Sequence, residues 1–554
     1  MADRAPSEDR GRARNDSFAD SINRIEDIEA QSRYEEETAD RGIGALHHIR
    51  SRTRSRTTET LIGWEPNDPE NPYNWSASKK YLVVFLSGML VVNSTMGSAL
   101  PSMAVPAMAE EWSVTSPEQR VLPISVYLIG YVIGPMIWGP LSEHIGRRNL
   151  CIVTFAVFTL FTMACGFAPN WPALLVFRLI CGVTGSAPIA VVAGILADIY
   201  GDPKTRGRAF AIFMATTVFG PLFAPIISGF CSDTIGWRWT FWIAVMVAGA
   251  TLLMTLFLPE TFGPILLARR ARLMRKRDPA TRAVAPRDLE TTDLNQLLTV
   301  VLTRPIRMLF SEPIVSTTCA YLALVYSIFY MSFQAFPIIF SQLYALSPGV
   351  TGLCYLPIGG GALLSLPVFW CWDSILERAT AAARPWTKRE ESRRLPLALL
   401  GGPAFVVSLF WLGWSARRDI TFVAPMLAGL PFGFGFMLIF MALLNYLTDA
   451  YDIFAASANA VASMCRALLA VVLPLATGHM FDDLGISGAC SLLGGLSAGM
   501  CIIPFIFIWK GPSIRARSKF CIALRERREE MARKAEEDRL RLERAAEREK
   551  GGSV

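Results

Sequence analysis

The stretch Gly139-Pro140-Leu141-Ser142-Glu143-His144-Ile145-Gly146-Arg147-Arg148 decides how the chain is read. It is a short charged punctuation between two long apolar runs, Val121–Leu141 and Leu150–Ala168. A bilayer core takes about 20 mainly apolar residues per helix, so each flank is long enough to cross a membrane. Working outward, runs of the same kind are Tyr81–Met108, Trp171–Ala197, Ala209–Phe230 and Trp239–Leu258. A basic, polar stretch follows. Six more runs come after it: Pro313–Phe340, Gly349–Trp372, Leu395–Ala416, Ile420–Leu447, Ala455–Met480 and Ile486–Trp509. Gly and Pro recur inside them, as in membrane helices generally, where neighbouring helices satisfy the freed backbone groups.

Composition agrees. The 554 residues are 52% hydrophobic and 18% charged, with a mean hydropathy of +0.35. A soluble domain carries about 25% charged residues, so an ordinary soluble enzyme and a disordered chain are both excluded. The expected fold class is an all-α membrane protein with twelve transmembrane helices in two six-helix halves. The expected divisions are a polar, disordered N-terminal tail (1–80), a first half (81–258), a basic central loop (259–312), a second half (313–509) and a charged C-terminal tail (510–554). Both tails are rich in charge runs, such as Glu35-Glu36-Glu37 and the alternating Arg/Lys and Glu after Phe520. The second reads as a solvated helix or, alternatively, a surface for membrane or partner.

Charge also orients the chain. Counting loops alone, twenty-one Lys and Arg fall on one side, among them Arg147, Arg148, Lys204, Arg206, Arg208 and ten in the central loop. Four, Arg120, Arg238, Arg417 and Arg418, fall on the other. The positive-inside rule then places both termini and the central loop in the cytoplasm, with the plasma membrane the expected site. The net charge of +7 fits loops facing anionic headgroups, so no nucleic-acid partner is expected. The eleven Cys are scattered without C-x-x-C or His/Cys clusters. No metal, cofactor or catalytic group is expected, and no G-x-x-x-x-G-K-[ST] is present to bind a nucleotide.

The Gly139–Arg148 stretch resembles the G-x-L-a-D-r-x-G-r-[kr] signature of the major facilitator superfamily, with Glu143 where the family usually has Asp and His144 where it usually has Arg. That resemblance implies a cytoplasmic gate, Gly139 and Gly146 included, in which Gly139 lets two helices approach closely while Glu143, Arg147 and Arg148 form a charge latch. Asp198 and Glu260 are candidates for the same gate. Arg178-Leu179-Ile180-Cys181-Gly182-Val183-Thr184-Gly185 is similar to the R-x-x-x-G-x-x-G pattern of the superfamily's drug antiporters. Gly220-Pro221-Leu222-Phe223-Ala224-Pro225-Ile226-Ile227-Ser228-Gly229 looks like their G-P-x-x-G-P-x-x-G-G motif, which the resemblance associates with export; Gly220, Pro221, Pro225 and Gly229 are its retained positions. Leu258-Pro259-Glu260-Thr261-Phe262-Gly263-Pro264-Ile265-Leu266-Leu267 resembles a stretch of fungal twelve-span drug:H⁺ antiporters. Asn445–Tyr451 and Gly511–Lys519 resemble later stretches of the same group.

The ionisable groups deep in the spans are few: Arg178 and Arg466. No Asp, Glu or His lies near the midplane of any span. A buried cation on a cargo would want a carboxylate, so a polyamine is disfavoured. Two inward-facing arginines favour an organic anion, with dicarboxylic acids of the itaconate type the leading expectation. Multidrug or secondary-metabolite efflux is the alternative. A second alternative is that both arginines pair with backbone carbonyls and carry no information about cargo. Asn93, Tyr127, Tyr131, Tyr326, Tyr330, Gln334 and Asn459 are the further cavity candidates; Tyr127/Tyr131 and Tyr326/Tyr330 are each spaced i,i+4 on one helix face. Protons are the expected coupling ion, carried by Glu143, Asp198 or Glu260 or by a weak-acid cargo itself. A monomer in the lipid bilayer is expected, and a non-transporting membrane sensor on the same fold is the rival from another class.

Overall fold

In a computed structural model of the chain, described residues are 60–65, 67–278, 283–289, 294–451, 454–518, 520–522, 524–526 and 533. Most of both expected tails, including residues 1–59 and the charge pairs after Phe520, lies outside them. The helices in chain order are α1 (Ala77–Ala99), α2 (Pro117–Ile145), α3 (Arg147–Gly166), α4 (Trp171–Ile199), α5 (Pro203–Thr234) and α6 (Arg238–Thr255). Then come α7 (Gly263–Arg277), α8 (Leu294–Ser311), α9 (Pro313–Phe336), α10 (Pro348–Leu353), α11 (Leu356–Ala381), α12 (Glu390–Ser415) and α13 (Gly429–Tyr451). The last are α14 (Ala455–Val472), α15 (Thr477–Met500) and α16 (Ile502–Arg515). Strands β1 (Thr60–Leu61) and β2 (Ala283–Val284) pair in parallel.

Among the described residues, eleven continuous helical stretches are long and apolar enough to cross a membrane. The eleventh, Ala455–Arg515, is 61 residues long. At about 1.5 Å per residue that far exceeds one bilayer crossing. Gly485 resolves it, with φ 67° and ψ 175° inside the run, a left-handed backbone that glycine adopts without steric cost. Two crossings therefore lie in that stretch, and the fold is the twelve-helix one that the apolar runs imply.

By its internal contacts the chain falls into two compact units. The larger, Tyr81–Ala197, Asp202–Pro259 and Leu294–Val554, holds the membrane helices. One close crossing is between α2 and α4, where a Cβ on Gly130 would overlap the backbone of Gly182 and one on Gly182 would overlap the Tyr127 carbonyl. Only glycine permits that approach. Gly139 does not contribute to it, contrary to the sequence reading, because a Cβ there meets nothing within 4 Å. Gly139 lies nine residues on from Gly130, about half a turn round the helix, so it faces away from α4, while its neighbour Trp138 still donates to the Val183 carbonyl at 2.7 Å.

The smaller unit is Met1–Lys80, Asp198–Gly201 and Glu260–Asp293. Ile62 and Trp64 pack on one face of α7, with Leu267, Ala268, Ala271, Ala283 and Ala285. Arg270 on α7 pairs with the Asp68 carboxylate. Burial pushes the Asp68 acid up, but the Glu70 amide and Arg270 outweigh it and hold it below its ordinary value. The expectation of an unstructured tail up to Lys80 is thus corrected for the described residues 60–80. Scattered apolar residues find a partner helix there that no local pattern announces.

Candidate functional site

Arg178 sits on α4, one residue beyond the aromatic Phe177, and is 2% exposed. Its guanidinium is fully engaged by backbone. Nε donates to the Pro123 carbonyl at 2.8 Å, Nη1 to Gly97 at 2.6 Å and Nη2 to Ser98 at 3.0 Å. The same group lies over the Tyr127 ring, 4.5 Å from its centroid. Arg178 therefore ties α1 and α2 to α4. These bonds match the alternative in which the arginine pairs with backbone carbonyls. The Gly97 carbonyl is open because the residue four positions on is Pro101, which has no N–H, and the Ser98 carbonyl is open because the Ser102 amide turns to Ala99 instead.

Arg466 on α14 is different. Nη2 donates to Ser463 Oγ on its own helix at 2.8 Å. Nε is buried without a hydrogen-bond partner. No carboxylate pairs with it among the described residues. Its guanidinium lies 5.5 Å from the Tyr326 ring on α9 and 5.2 Å from the Phe440 ring on α13. Arg466 and Tyr326 are only half-buried although both lie mid-helix, so they border a space rather than a sealed core.

The polar candidates form a chain of contacts through the middle of the protein. Tyr127 Oη donates to the Ser94 carbonyl at 2.7 Å, and Tyr131 Oη lies 2.7 Å from Ser94 Oγ. Tyr330 Oη lies 2.8 Å from Ser98 Oγ, and Tyr326 Oη donates to Tyr330 Oη at 3.4 Å. Contacts thus run from Arg178 through Ser98, Tyr330 and Tyr326 to Arg466. Asn93 is drawn away from that chain. Its amide donates to the Met89 carbonyl and to Thr251 Oγ1, and it lines a small space inside the first half together with Arg178 and Phe241. Asn459 donates to Thr448 Oγ1 at 2.9 Å and leaves its Oδ1 without a partner. Gln334 is half-buried two turns along α9 from Tyr326.

Two ends complete the geometry. At the Arg-rich end, Arg147 is buried, donates to Ser142 Oγ and lies 3.9 Å from Glu143. It fills the space left by Gly194, where a Cβ would come within 2.8 Å of the guanidinium. Gly146, at φ 103°, makes the turn that lets α3 follow α2 directly. Arg148 donates to the Leu256 carbonyl at the end of α6. In the smaller unit, Asp198 accepts from Thr261 Oγ1, and Glu260 Oε1 accepts from the Thr261 and Phe262 amides at the start of α7. At the opposite end the antiporter-like helix α5 meets α10. A Cβ on Gly229 would fall 2.8 Å from the Pro348 carbonyl carbon, one on Gly352 would fall 2.5 Å from the Pro225 carbonyl oxygen, and the Gly349 amide donates to Asp233. Gly220 packs against Thr95 and Met96 of α1. Ser125 with the Val471 carbonyl and Glu118 with His479 also join the two halves there.

Residues 86–474 match the profile of the Major Facilitator Superfamily. The chain belongs to this superfamily. It is 37% identical over 467 residues, 83% of this chain and 89% of the relative, to a transporter of the ascochitine biosynthesis cluster of Didymella fabae. It is 36% identical over 471 residues to the citrinin biosynthesis cluster transporter mrr1 of Monascus ruber, covering 92% of that relative. It is 34% identical over 466 residues to the multidrug transporter mdrA of Aspergillus fumigatus, covering 75% of it. The proton:xylose symporter XylE shares the fold, with a TM-score of 0.56 at 15% identity over 79% of this chain and 96% of that one. This facilitator is accordingly a multi-pass membrane transporter and not an enzyme.

Several residues of the facilitator were not legible beforehand. Phe440 and Ser98 join the site only through packing between distant helices. Glu312 was counted with the central loop, yet it immediately precedes α9 and is 1% exposed. It accepts from Tyr451 Oη at 3.0 Å and from the Phe520 amide at 3.5 Å, with no cation beside it among the described residues. A signal was present in Pro313, since proline at a first helical position marks a helix start and puts Glu312 at the membrane helix rather than in the loop. Glu391, also buried, pairs with Arg515 at 2.7 Å, and Arg394 pairs with Asp449 at 2.8 Å.

Proposed function

We propose that this transporter exports a small organic anion from the cytoplasm in exchange for protons. The observation that carries the reading is Arg466, a mid-membrane arginine facing a space and lacking a carboxylate. An unpaired charge at that depth is costly, so it marks a substrate pathway by default. Relatives named for metabolite clusters and efflux support the direction, as does the resemblance of α5 to the antiporter motif. Contacts closing the Arg-poor end favour entry of cargo from the Arg-rich side, which the positive-inside rule assigns to the cytoplasm, with both termini there and the plasma membrane as the site. Dicarboxylic acids such as itaconate needed two cavity cations; with Arg178 held by carbonyls, that choice loses its second partner. Glu143, Asp198 and Glu260, joined now by the water-shielded Glu312, are the acids available to carry protons.

A second reading, efflux of neutral amphiphiles, is favoured by the aromatic wall of Tyr326, Phe440 and their neighbours. Comparative metabolite profiling of cells with and without the gene separates these. On deletion, a carboxylate-bearing compound should disappear from the medium and accumulate inside. A neutral compound behaving so would favour the second reading. Loss of a compound from inside the cells would make the protein an importer, and no change in any metabolite would favour a sensor.

A further inference from the structure

We infer that Arg466, Tyr326 and Phe440 form a binding site for a single carboxylate borne on an apolar, aromatic body, so that the cargo class is aromatic monocarboxylic acids. The inference rests on the reading above only in taking this space as part of the cargo's path; it does not depend on the direction of transport.

Three observations lead to it. The first is a count of cations. Of the two mid-span arginines, Arg178 spends its Nε and both Nη on carbonyls of Pro123, Gly97 and Ser98. Arg466 has one hydrogen bond, to Ser463 on its own helix, and a buried Nε with none. A guanidinium offers its donors as a fork that suits one carboxylate in bidentate fashion. A second carboxylate on the same cargo would enter a low-dielectric region with no cation to meet it among the described residues.

The second is the wall. The Arg466 guanidinium is flanked by the rings of Tyr326 and Phe440, and Phe436 stacks on Phe440 at 4.4 Å between centroids. These surfaces reward a flat apolar body with offset or edge contacts. They offer little to a short aliphatic diacid, whose carbons would bury little area. The third is the rim. Asn459, two turns from Arg466 and so on the same face of α14, has a buried Oδ1 with no donor, an acceptor that a hydroxyl on the cargo's body would satisfy.

The test is equilibrium binding to the full-length protein in lipid nanodiscs with no gradient imposed. The probes are 2-naphthoate, its uncharged carboxamide, naphthalene-2,6-dicarboxylate and succinate. The expected result is that 2-naphthoate binds at least about tenfold more tightly than each of the other three, since a charge-assisted hydrogen bond outweighs a neutral one by that factor. In Arg466→Gln the advantage of 2-naphthoate over the carboxamide should vanish, while carboxamide binding persists and reports an intact fold. Arg466→Lys should keep the sign of the preference with lower affinity, because the charge remains and the fork is lost. Equal affinity for acid and amide in the wild type, tighter binding of either dicarboxylate, no binding of any probe, or an unchanged preference in Arg466→Gln overturns the inference. A protein that binds as expected but carries acids inward keeps this site and refutes only export.

Discussion

Arg178 and Arg466 look alike in sequence, each a lone cation in an apolar run, and the structure separates them by what their N–H groups meet. Arg178 is a clamp: three carbonyls on α1 and α2 receive its donors. Arg466 keeps a buried donor unused. Sequence pattern finds such residues because charge is rare in a span, but it cannot say whether a neighbouring helix turns carbonyls toward them. For Arg178 the loss of that clamp is structural. Each carbonyl left unpaired costs about 1–3 kcal/mol, so Arg178→Gln should lower the unfolding temperature of the purified protein by several degrees. The relative preference for charged over neutral ligands should stay unchanged. A variant with wild-type stability and altered charge preference would return Arg178 to the cargo site. The tyrosines divide in the same way. Spacing pairs Tyr127 with Tyr131 and Tyr326 with Tyr330, and the rings do meet, at 5.3 Å and 4.9 Å. Only Tyr326 reaches Arg466, a contact across helices that no local spacing encodes.

Among elements, the membrane spans were the most legible, because 20 apolar residues in a row have few other meanings. Their crossings were less so. Gly139 stands in a recognisable motif but its Cα faces open space, whereas Gly130, outside any motif, bears the close approach to α4. The last helical run is interrupted by the tight 3₁₀ turn Leu473–Ala476 and by the left-handed Gly485. Between the halves, α5 and α10 meet through Gly229 and Gly352 with almost no side chain between their backbones. A bulky residue there has nowhere to go. Gly229→Leu should wedge the Arg-poor end open and leave the helices intact. With the eleven native cysteines replaced by Ser or Ala, a single cysteine placed beside the junction, at Ser232, should then react several-fold faster with a membrane-impermeant thiol reagent from the Arg-poor side. Labelling at the wild-type rate in the folded variant would mean that this junction does not seal that end.

For the whole molecule, under the proposed export the contacts at the Arg-poor end and the space bordered by the half-buried Arg466 belong to a transporter that takes cargo from the Arg-rich side. The hydroxyl chain from Ser98 to Tyr330 and Tyr326 connects that space to the helices held by Arg178, so a ligand at Arg466 touches one half and is felt by contacts with the other. Such a link is what alternating access between two halves asks for. The measurement that bears most directly on this account is flux in proteoliposomes carrying wild-type protein or Arg466→Gln, with labelled 2-naphthoate inside and the outside acidified or not. The account predicts saturable efflux from wild-type vesicles that the proton gradient accelerates, a fall of about tenfold or more in Arg466→Gln, and unchanged movement of the uncharged carboxamide. Equal efflux of the acid from both proteins would contradict it.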